Sequence, residues 1–551
     1  MQAIQGTMMQ SQLTITQVLR HAESINADSE IVSVTYDNPR HRYTYKDAFK
    51  RSRQLANALA NTGCQKGERI ATLAWNDHRH FELYYGVSCS GMVLHTINPR
   101  LFPEQIEYIV NHAQDSMVFL DPQFIPLIDQ LKSKLNSVKK YIVLCDYRTL
   151  TELGADHTLY TDYESFIDSQ SSEIDWPELE ENAPSSMCYT SGTTGMPKGV
   201  VYTHRSTILH SMASAMPDAF NVSCRETILP VVPMFHVNGW GLAYTAPMNG
   251  AKLVLPGNKM ADGETLTDLV NREGVTMMAG VPTVWLALLD YLKTNELLVP
   301  KLQRIIVGGA ACPSIIIEQF KELFDVSVHQ AWGMTEMSPL GTFNAPVPAL
   351  STLSAQEQQQ VAIKQGRPIF GVELRIDSPD QQPLPWDGEA SGSLKVRGPW
   401  VASSYFGQDS AVDENGFFST GDVASIDKLG YMQITDREKD VIKSGGEWIS
   451  SIELENIASS HQLVKEAAVI GVPHPKWTER PLLIIVPTDS ANQDQSEKDD
   501  ILAMFDGVVA RFCKPDAIEF ADSLPHTATG KLSKKDLRQQ FIDYQLDTDG
   551  A

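Results

Sequence analysis

The sequence lacks the usual marks of a secreted or membrane-spanning protein. Its seven cysteines are scattered over 551 residues with no C-x-x-C pair, which argues against a disulfide framework and a zinc site. No apolar run approaches the roughly 18 residues of a membrane span. The N-terminal segment to Leu19 has no apolar core followed by a small-residue cleavage site. We therefore expect a cytoplasmic protein with reduced thiols.

Positive charge is also scarce. The chain has 45 lysines and arginines against 68 aspartates and glutamates, a formal net charge of −23. Such an acidic surface disfavours nucleic acid and anionic membranes as partners. An anionic substrate must therefore be met by lysines and arginines placed locally.

The pattern of apolar runs predicts an α/β protein of more than one domain. Short strand-like runs alternate with helix-period segments, as at Arg304–Val307 and Ser314–Phe324. We expect a large N-terminal domain, residues 1–436, of mixed, mostly parallel sheets with helices and a small β-barrel-like part. A smaller, mobile α+β domain, residues 437–551, is expected to follow.

The loop Thr190–Gly199 carries the densest chemical signal. It packs hydroxyls, glycines and Lys198 between two strand-like runs. Glycine lets the backbone approach a bulky anion, while hydroxyls, N–H groups and an ammonium suit phosphate oxygens. The loop is not a Walker A loop, because Lys198 follows a proline. A nucleotide is the favoured ligand, and a polar surface hairpin is the alternative.

Further segments carry candidate residues, each with a plainer alternative. His236 follows a strand end among aromatic neighbours. It could line or gate a tunnel, or it could equally be a core histidine. Glu336 stands among apolar residues as a candidate Mg²⁺ ligand or a helix cap. Asp422 and Arg437 suit a ribose, or form a turn and a surface ion pair. Lys531, in a flexible Thr-Gly-Lys loop, could bring one ammonium into a distant site or be a hydrated surface lysine.

Taken together and in this order, the segments resemble the adenylate-forming family, which includes acyl-CoA synthetases, peptide-synthetase adenylation domains and beetle luciferases. The resemblance runs from roughly residue 30 to 540 and rests on five dispersed motifs. They are Thr190–Gly199, Trp332–Glu336, Ser419–Asp422, Asp436–Arg437 and Thr529–Lys531.

The resemblance implies a first step in which a carboxylate attacks the α-phosphorus of ATP to give acyl-AMP and pyrophosphate. Lys531 would stabilise the charge that develops between carboxylate and α-phosphate, and Glu336 with Thr190 would hold Mg²⁺. Other residues would bind the nucleotide. The phosphates would be bound by Thr190, Ser191, Gly192, Thr193, Thr194, Lys198 and Thr335. The adenine would be contacted by Gly309, Ala310, Ala311, Trp332 and Gly333, and the ribose would be bound by Asp422 and Arg437.

The resemblance also implies a second step, in which the thiol of coenzyme A displaces AMP. The C-terminal domain would rotate about Lys439, withdraw Lys531 and present the segment from Lys443 to Trp448. His236 would gate the tunnel for the pantetheine arm. The segment presented consists of Lys443, Ser444, Gly445, Gly446, Glu447 and Trp448.

The sequence around the motifs looks like that of short- and medium-chain acyl-CoA ligases of the 3-methylmercaptopropionate type. An apolar acyl pocket is expected from Val237, Trp240, Gly308, Trp332, Met334 and Leu340, although Trp240 could be core alone. No acidic residue is placed to pair with a substrate amine, which disfavours amino acids. A general medium-chain synthetase and a luciferase-type oxidoreductase are the alternatives. The sequence does not decide whether the accepting thiol belongs to free CoA or to a carrier protein. It also does not decide whether the protein forms a homodimer.

Overall fold

The computed structural model describes residues 6–190, 196–444, 447–488, 491, 493–526 and 532–546, with the side chain of Glu447 left out. The chain divides into two compact units. The larger comprises Met1–Glu373 and Arg397–Phe418, and the smaller Leu374–Val396 and Ser419–Ala551. The predicted domain boundary between residues 436 and 437 falls inside the smaller unit. That boundary stays a prediction.

A nine-stranded sheet forms one core of the larger unit. Its strand order is β16-β15-β14-β13-β12-β10-β11-β1-β2. The central pairs from β1 to β14 are parallel, while β2, β15 and β16 pair antiparallel. The strands are β1 (Glu30–Ser33), β2 (His41–Thr44), β10 (Thr227–Pro230), β11 (Lys252–Leu255), β12 (Met277–Gly280), β13 (Arg304–Val307), β14 (Ser327–Gly333), β15 (Leu340–Phe343) and β16 (Arg367–Pro368).

A seven-stranded sheet forms the other core, in the order β7-β6-β5-β3-β4-β8-β9. All its pairs are parallel except β8 with β9. Every residue of β5 is buried, as expected of a strand covered on both faces. The strands are β3 (Arg69–Leu73), β4 (Val93–Thr96), β5 (Asp115–Leu120), β6 (Lys140–Val143), β7 (Tyr160–Asp162), β8 (Pro184–Tyr189) and β9 (Gly199–Thr203).

Helices cover these sheets, and several begin and end at the residues that physical chemistry favours. Thr44 and Asp47 form a capping box at the start of α2, and α10 begins after Asp262 and ends at Gly274 in the left-handed region. The helices of the larger unit are α1 (Ile15–Ile25), α2 (Tyr45–Asn61), α3 (His78–Ser88), α4 (Pro103–Ala113), α5 (Ile125–Leu131), α6 (Tyr147–Glu152), α7 (Tyr163–Asp168), α8 (His204–Ser214), α9 (Leu242–Asn249), α10 (Gly263–Glu273), α11 (Pro282–Thr294), α12 (Ser314–Phe324) and α13 (Ala355–Ala362).

The smaller unit holds a four-stranded sheet, in the order β17-β18-β19-β20, and a mostly antiparallel five-stranded sheet with helices. Apolar cores lie on both faces of the second sheet. The elements are β17 (Glu373–Asp377), β18 (Ser391–Arg397), β19 (Phe418–Ile426), β20 (Met432–Arg437), β21 (Ile442–Ser444), β22 (Glu447–Ile449), β23 (Val464–His474), β24 (Thr478–Pro487), β25 (Ala517–Phe520), α14 (Ser451–Ser459), α15 (Gln495–Ala503) and α16 (Lys534–Gln540).

The α/β class with mostly parallel sheets is confirmed, and some elements match the sequence pattern at both ends. The strand Arg304–Val307 and the helix Ser314–Phe324 are examples. The apolar pattern of residues 500–512 also predicts a helix, which is wrong, because α15 spans Gln495–Ala503 and turns follow it. Within the described residues, no helix is long and apolar enough to cross a bilayer.

Candidate active site

The candidate residues of the larger unit cluster at strand ends. Strands β10, β12, β13 and β14 run parallel, so their carboxyl ends meet at one edge of the sheet. The segments that leave this edge include Pro233–Gly241 after β10, Gly308–Pro313 after β13 and Met334–Met337 after β14. Ligands of open α/β sheets bind at this edge, so the topology brings together motifs that lie up to a hundred residues apart in sequence.

The two ends of the phosphate loop are fixed by the antiparallel pair β8 and β9. The N–H of Thr190 donates to the carbonyl of Lys198 at 2.9 Å, and the N–H of Lys198 donates to Oγ1 of Thr190 at 3.4 Å. Ser191, Gly192, Thr193 and Thr194 lie outside the described residues. Their assignment to phosphate stays a prediction.

Glu336 and Lys198 approach a common side chain, Tyr405, which the sequence reasoning missed. The Tyr405 hydroxyl donates to Oε1 of Glu336 at 2.7 Å, and Nζ of Lys198 lies 4.7 Å from the centre of the Tyr405 ring. Burial and the neighbouring Glu336 carboxylate raise the pKa of the Tyr405 phenol, which therefore stays protonated. Glu336 itself is buried, in a short 3₁₀ turn.

The segment around Glu336 is tightly held by its backbone. The Tyr202 hydroxyl donates to the carbonyl of Thr335 at 2.6 Å, and the N–H of Ala402 donates to the carbonyl of Glu336 at 2.7 Å. Gly333 ends β14 where a Cβ would lie 1.9 Å from the carbonyl oxygen of Pro339. Glycine is therefore required there by close backbone approach.

The residues expected around the adenine lie on two neighbouring strands. Gly309, Ala310 and Ala311 are exposed on the loop between β13 and α12, and Gly309 has φ +80°. Trp332 is buried on β14, the strand next to β13. Adjacent strands thus bring these two predicted regions together, while the adenine contact itself stays a prediction.

His236 precedes an unusual left-handed turn. The five residues from Val237 to Gly241 all have φ between 43° and 73°. Left-handed conformation costs roughly 1–2 kcal/mol per non-glycine residue, and it is rare for a β-branched valine. Strain of this kind persists where surrounding contacts over-determine it, and such sites are often functional.

Buried hydrogen bonds hold this turn. The Asn238 amide donates to Oγ of Ser186 at 2.5 Å, and its oxygen accepts from the Thr96 hydroxyl at 3.0 Å. Just before the turn, the N–H of Met234 donates to the Asn76 side chain at 2.6 Å. These contacts join the turn to β4 and β8 of the other sheet and stabilise its strained backbone.

The turn places Trp240 against Gly308. A Cβ built on Gly308 would lie 2.6 Å from ring carbon Cη2 of Trp240, so glycine makes room for the indole. Buried His210, also missed by the sequence reasoning, accepts from the N–H of Leu340 at 3.2 Å and abuts Gly241. Burial lowers the pKa of His210 to about 3, so the imidazole is neutral and can accept.

The structure thus gathers much of the expected acyl-binding set at one end of the nine-stranded sheet. Met334 is half-buried, and the others are buried. Their contact with an acyl chain stays a prediction. The buried residues are Val237, Trp240, Gly308, Trp332 and Leu340.

In the smaller unit, Asp422 and Arg437 are direct cross-strand partners on β19 and β20. Nη1 of Arg437 lies 2.8 Å from Oδ1 of Asp422, which is 2% exposed, whereas the arginine is 50% exposed. The alternative that Asp422 forms a turn is wrong, because this residue lies within β19. The pairing of the two residues fits a shared role, and ribose binding stays a prediction.

The described residues of the smaller unit that were expected to act in the second step include Lys439, Lys443 and Trp448. Lys443 on β21 faces Trp448 on β22, and the N–H of Lys443 donates to Glu479 at 2.9 Å. The carbonyl of Lys439 accepts from Arg538 at 2.9 Å. Gly445, Gly446, the Glu447 side chain and Lys531 lie outside the described residues. All their roles stay predictions.

Tyr405, His210 and Asn238 were missed for one reason. Each acts on a residue far away in sequence, and its own neighbours carry no recognisable pattern. The histidine and asparagine sit inside apolar stretches, where a polar residue is a weak signal that a partner exists. Ser403–Ser404 before Tyr405 gives no signal at all.

Phosphate-suited and carboxylate-bearing loops at the carboxyl ends of parallel strands define a nucleotide-binding α/β enzyme. The chain belongs to the AMP-binding enzyme family of the adenylate-forming superfamily. Residues 21–406 match the AMP-binding enzyme family, and residues 453–531 match its C-terminal domain.

Two relatives are similar over nearly the whole chain. A 3-methylmercaptopropionyl-CoA ligase of Ruegeria lacuscaerulensis is 47% identical over 539 residues, covering 98% of this chain and 99% of its own. A medium-chain-fatty-acid–CoA ligase of Ectopseudomonas oleovorans is 47% identical over 542 residues, covering 98% of each chain. The predicted resemblance is thereby confirmed.

Solved structures show the same fold. An anthranilate CoA ligase in complex with anthranoyl-AMP has a TM-score of 0.83 at 23% identity, over 97% of this chain and 98% of that one. ATP-bound MatB from Rhodopseudomonas palustris has a TM-score of 0.80 at 23% identity, over 97% and 99%. At this identity the likeness concerns the fold.

Proposed function

We propose that this enzyme joins a short- or medium-chain carboxylic acid, 3-methylmercaptopropionate or a similar acid, to coenzyme A. A carboxylate oxygen attacks the α-phosphorus of ATP, the bond to the β-phosphate breaks, and pyrophosphate leaves with its electron pair. The thiol of CoA then attacks the acyl carbon, loses its proton and displaces AMP. The near full-length similarity to two acyl-CoA ligases supports this reaction.

The observation that carries the proposal is the meeting of Lys198 and Glu336 at Tyr405. Lys198 lies directly before β9 of the seven-stranded sheet, and Glu336 follows the carboxyl end of β14 in the nine-stranded sheet. An ammonium suits the β- and γ-phosphates, and a carboxylate would hold a metal that neutralises their charge. A triphosphate site needs both groups in one place.

The residues present fit Mg²⁺. Glu336 offers hard carboxylate oxygens from a buried position, and Mg²⁺ takes one or two such ligands beside waters and phosphates. When bound, Mg²⁺ supplies neutralisation of phosphate charge. Lys198 and Thr190 hold the departing pyrophosphate, Thr335 contacts the α-phosphate, and Asp422 with Arg437 binds the ribose.

Acyl-chain length is set by Trp240 in this proposal. Its indole packs against Gly308, and Trp240 is 6% exposed. The indole therefore limits the depth of the proposed acyl pocket near the strand ends. A short chain or a thioether fits such a pocket. Within the same proposal the enzyme acts in the cytoplasm, because seven scattered cysteines without a C-x-x-C pair suit a reducing compartment. A homodimer stays a prediction.

A carboxylate panel tests the reaction. Acids of two to twelve carbons, with methylmercaptopropionate and acrylate, are scored for pyrophosphate release without CoA and for AMP release with it. We expect a maximum at short or medium length. Flat activity over the panel favours a general medium-chain enzyme, and oxygen uptake with acyl-AMP favours a luciferase-type reaction. No pyrophosphate release with any acid contradicts the proposal.

Trp240→Ala should shift the preference towards longer acids. Removing the indole opens apolar volume beside Gly308, and a single methylene in such a pocket changes kcat/KM by about 10-fold or more. We expect the ratio of kcat/KM for decanoate over butyrate to rise by at least about 10-fold.

The matched control for this change is Trp386→Ala, which removes a tryptophan that is 40% exposed in the smaller unit. The control should keep the wild-type ratio. An unchanged ratio in Trp240→Ala, with the protein folded, would show that Trp240 is core only.

A further inference from the structure

The segment 398–407 joins the two halves of the proposed triphosphate site. Its Phe406 N–H donates to the carbonyl of Gly199, directly after Lys198, at 2.8 Å, and its Ala402 N–H donates to the carbonyl of Glu336 at 2.7 Å. One short stretch of chain is therefore hydrogen-bonded to both charged elements. Tyr405 lies between these two anchor points.

The side chain of Tyr405 makes a different contact at each end. Its hydroxyl donates to the Glu336 carboxylate at 2.7 Å, a distance typical of a charge-assisted bond. Its ring face meets the Lys198 ammonium at 4.7 Å from the centroid, within the range of a cation–π contact. Apolar packing also holds the side chain, because Tyr405 packs against the buried cluster Cys188, Val200 and Tyr202.

We propose that Tyr405 is a positioning residue for acyl-AMP formation, which orients the Glu336 carboxylate for Mg²⁺ and pre-places the Lys198 ammonium for the phosphates. This inference rests on the proposed function. A hydroxyl bound to one carboxylate oxygen fixes the rotation of the carboxylate and directs its other oxygen. Partners of this kind typically change metal affinity or activity by about 10- to 100-fold when they are removed.

The test measures binding and not turnover. ATP binding is followed by calorimetry over a series of Mg²⁺ concentrations and with EDTA, for wild type, Tyr405→Phe and Tyr405→Leu. The phenylalanine variant keeps the ring and loses only the hydroxyl. We expect it to need about 10-fold more Mg²⁺ for the same ATP affinity, while metal-free ATP binding stays at the wild-type value.

Tyr405→Leu removes the ring as well. We expect the same rise in the Mg²⁺ concentration required and, in addition, metal-free ATP binding that is weaker by about two- to five-fold, since a cation–π contact of this size is lost. Tyr405→Met replaces it if the leucine variant does not fold, as judged by thermal melting.

Tyr544→Phe provides the matched control, because half-buried Tyr544 donates to Glu519 at 2.9 Å in the smaller unit. It should bind ATP like wild type at every Mg²⁺ concentration.

Wild-type Mg²⁺ dependence in Tyr405→Phe overturns the role of the hydroxyl, and equal metal-free binding in both variants overturns the role of the ring. Absence of ATP binding in the wild-type enzyme would instead contradict the proposed function. The two failures are therefore distinguishable.

Discussion

Replacing Lys531 with alanine should slow acyl-AMP formation by about 100- to 1,000-fold, since one lost contact to developing charge typically has this effect. The resemblance assigns the Lys531 ammonium to the carboxylate and the α-phosphate, where negative charge builds up as the new bond forms. Thioester formation from supplied acyl-AMP and CoA involves no attack on phosphorus. It should therefore stay near the wild-type rate.

Each half-reaction is measured separately. Carboxylate-dependent exchange of pyrophosphate into ATP reports the first step, and AMP release from supplied acyl-AMP with CoA reports the second. Lys535→Ala is the matched control, since it removes an exposed lysine four positions further on, in α16. Equal loss of both half-reactions in Lys531→Ala would refute the assigned role.

Gly333→Ala should impair both the stability of the protein and acyl-AMP formation. The new methyl group would lie 1.9 Å from the oxygen and 2.6 Å from the carbon of the Pro339 carbonyl. Both neighbours are backbone atoms, so β14 and β15 must move apart. Overpacking of this kind costs about 1–3 kcal/mol of unfolding free energy, and the shift displaces Thr335 and Glu336, which follow directly.

Thermal melting and pyrophosphate exchange measure the two effects. Gly392→Ala is the matched control, because its methyl group would lie 2.4 Å from the carbonyl oxygen of Asp377, on a strand without candidate residues. It should lower stability but keep ATP binding in calorimetry. Wild-type melting and exchange in Gly333→Ala would contradict the described approach of β14 and β15.

The sequence predicted elements well where one pattern dominates. In α12 a helix-period apolar stripe is preceded by Pro313, and in β13 a short buried run is bounded by polar residues and glycine. Prediction from the sequence was less accurate where tertiary packing competes with the local pattern. The segment after Ala503 reads as a continuing helix, yet the chain turns there, and Phe505 packs into the core of the five-stranded sheet.

The residues of the candidate site likewise fall into those that the sequence could name and those that it could not. Lys198, Glu336, Asp422 and Arg437 could be named as candidates from the sequence, because binding of phosphate, metal and ribose favours side chains of these types. Tyr405 could not be named, because its importance comes only from what it contacts. The left-handed turn after His236 was equally hidden, since no local pattern predicts positive φ at a valine.

The sequence by itself determined the family, the two-step chemistry it implies and the residue types that such chemistry needs. These follow from side-chain chemistry and from five motifs in a fixed order. Only the tertiary structure decided which of these residues meet. The parallel strand ends, the cross-strand pair of Asp422 and Arg437 and the Tyr405 contacts are consequences of pairing and packing between segments far apart in the chain. Such contacts are set by the global fold, and for that reason a local pattern does not contain them.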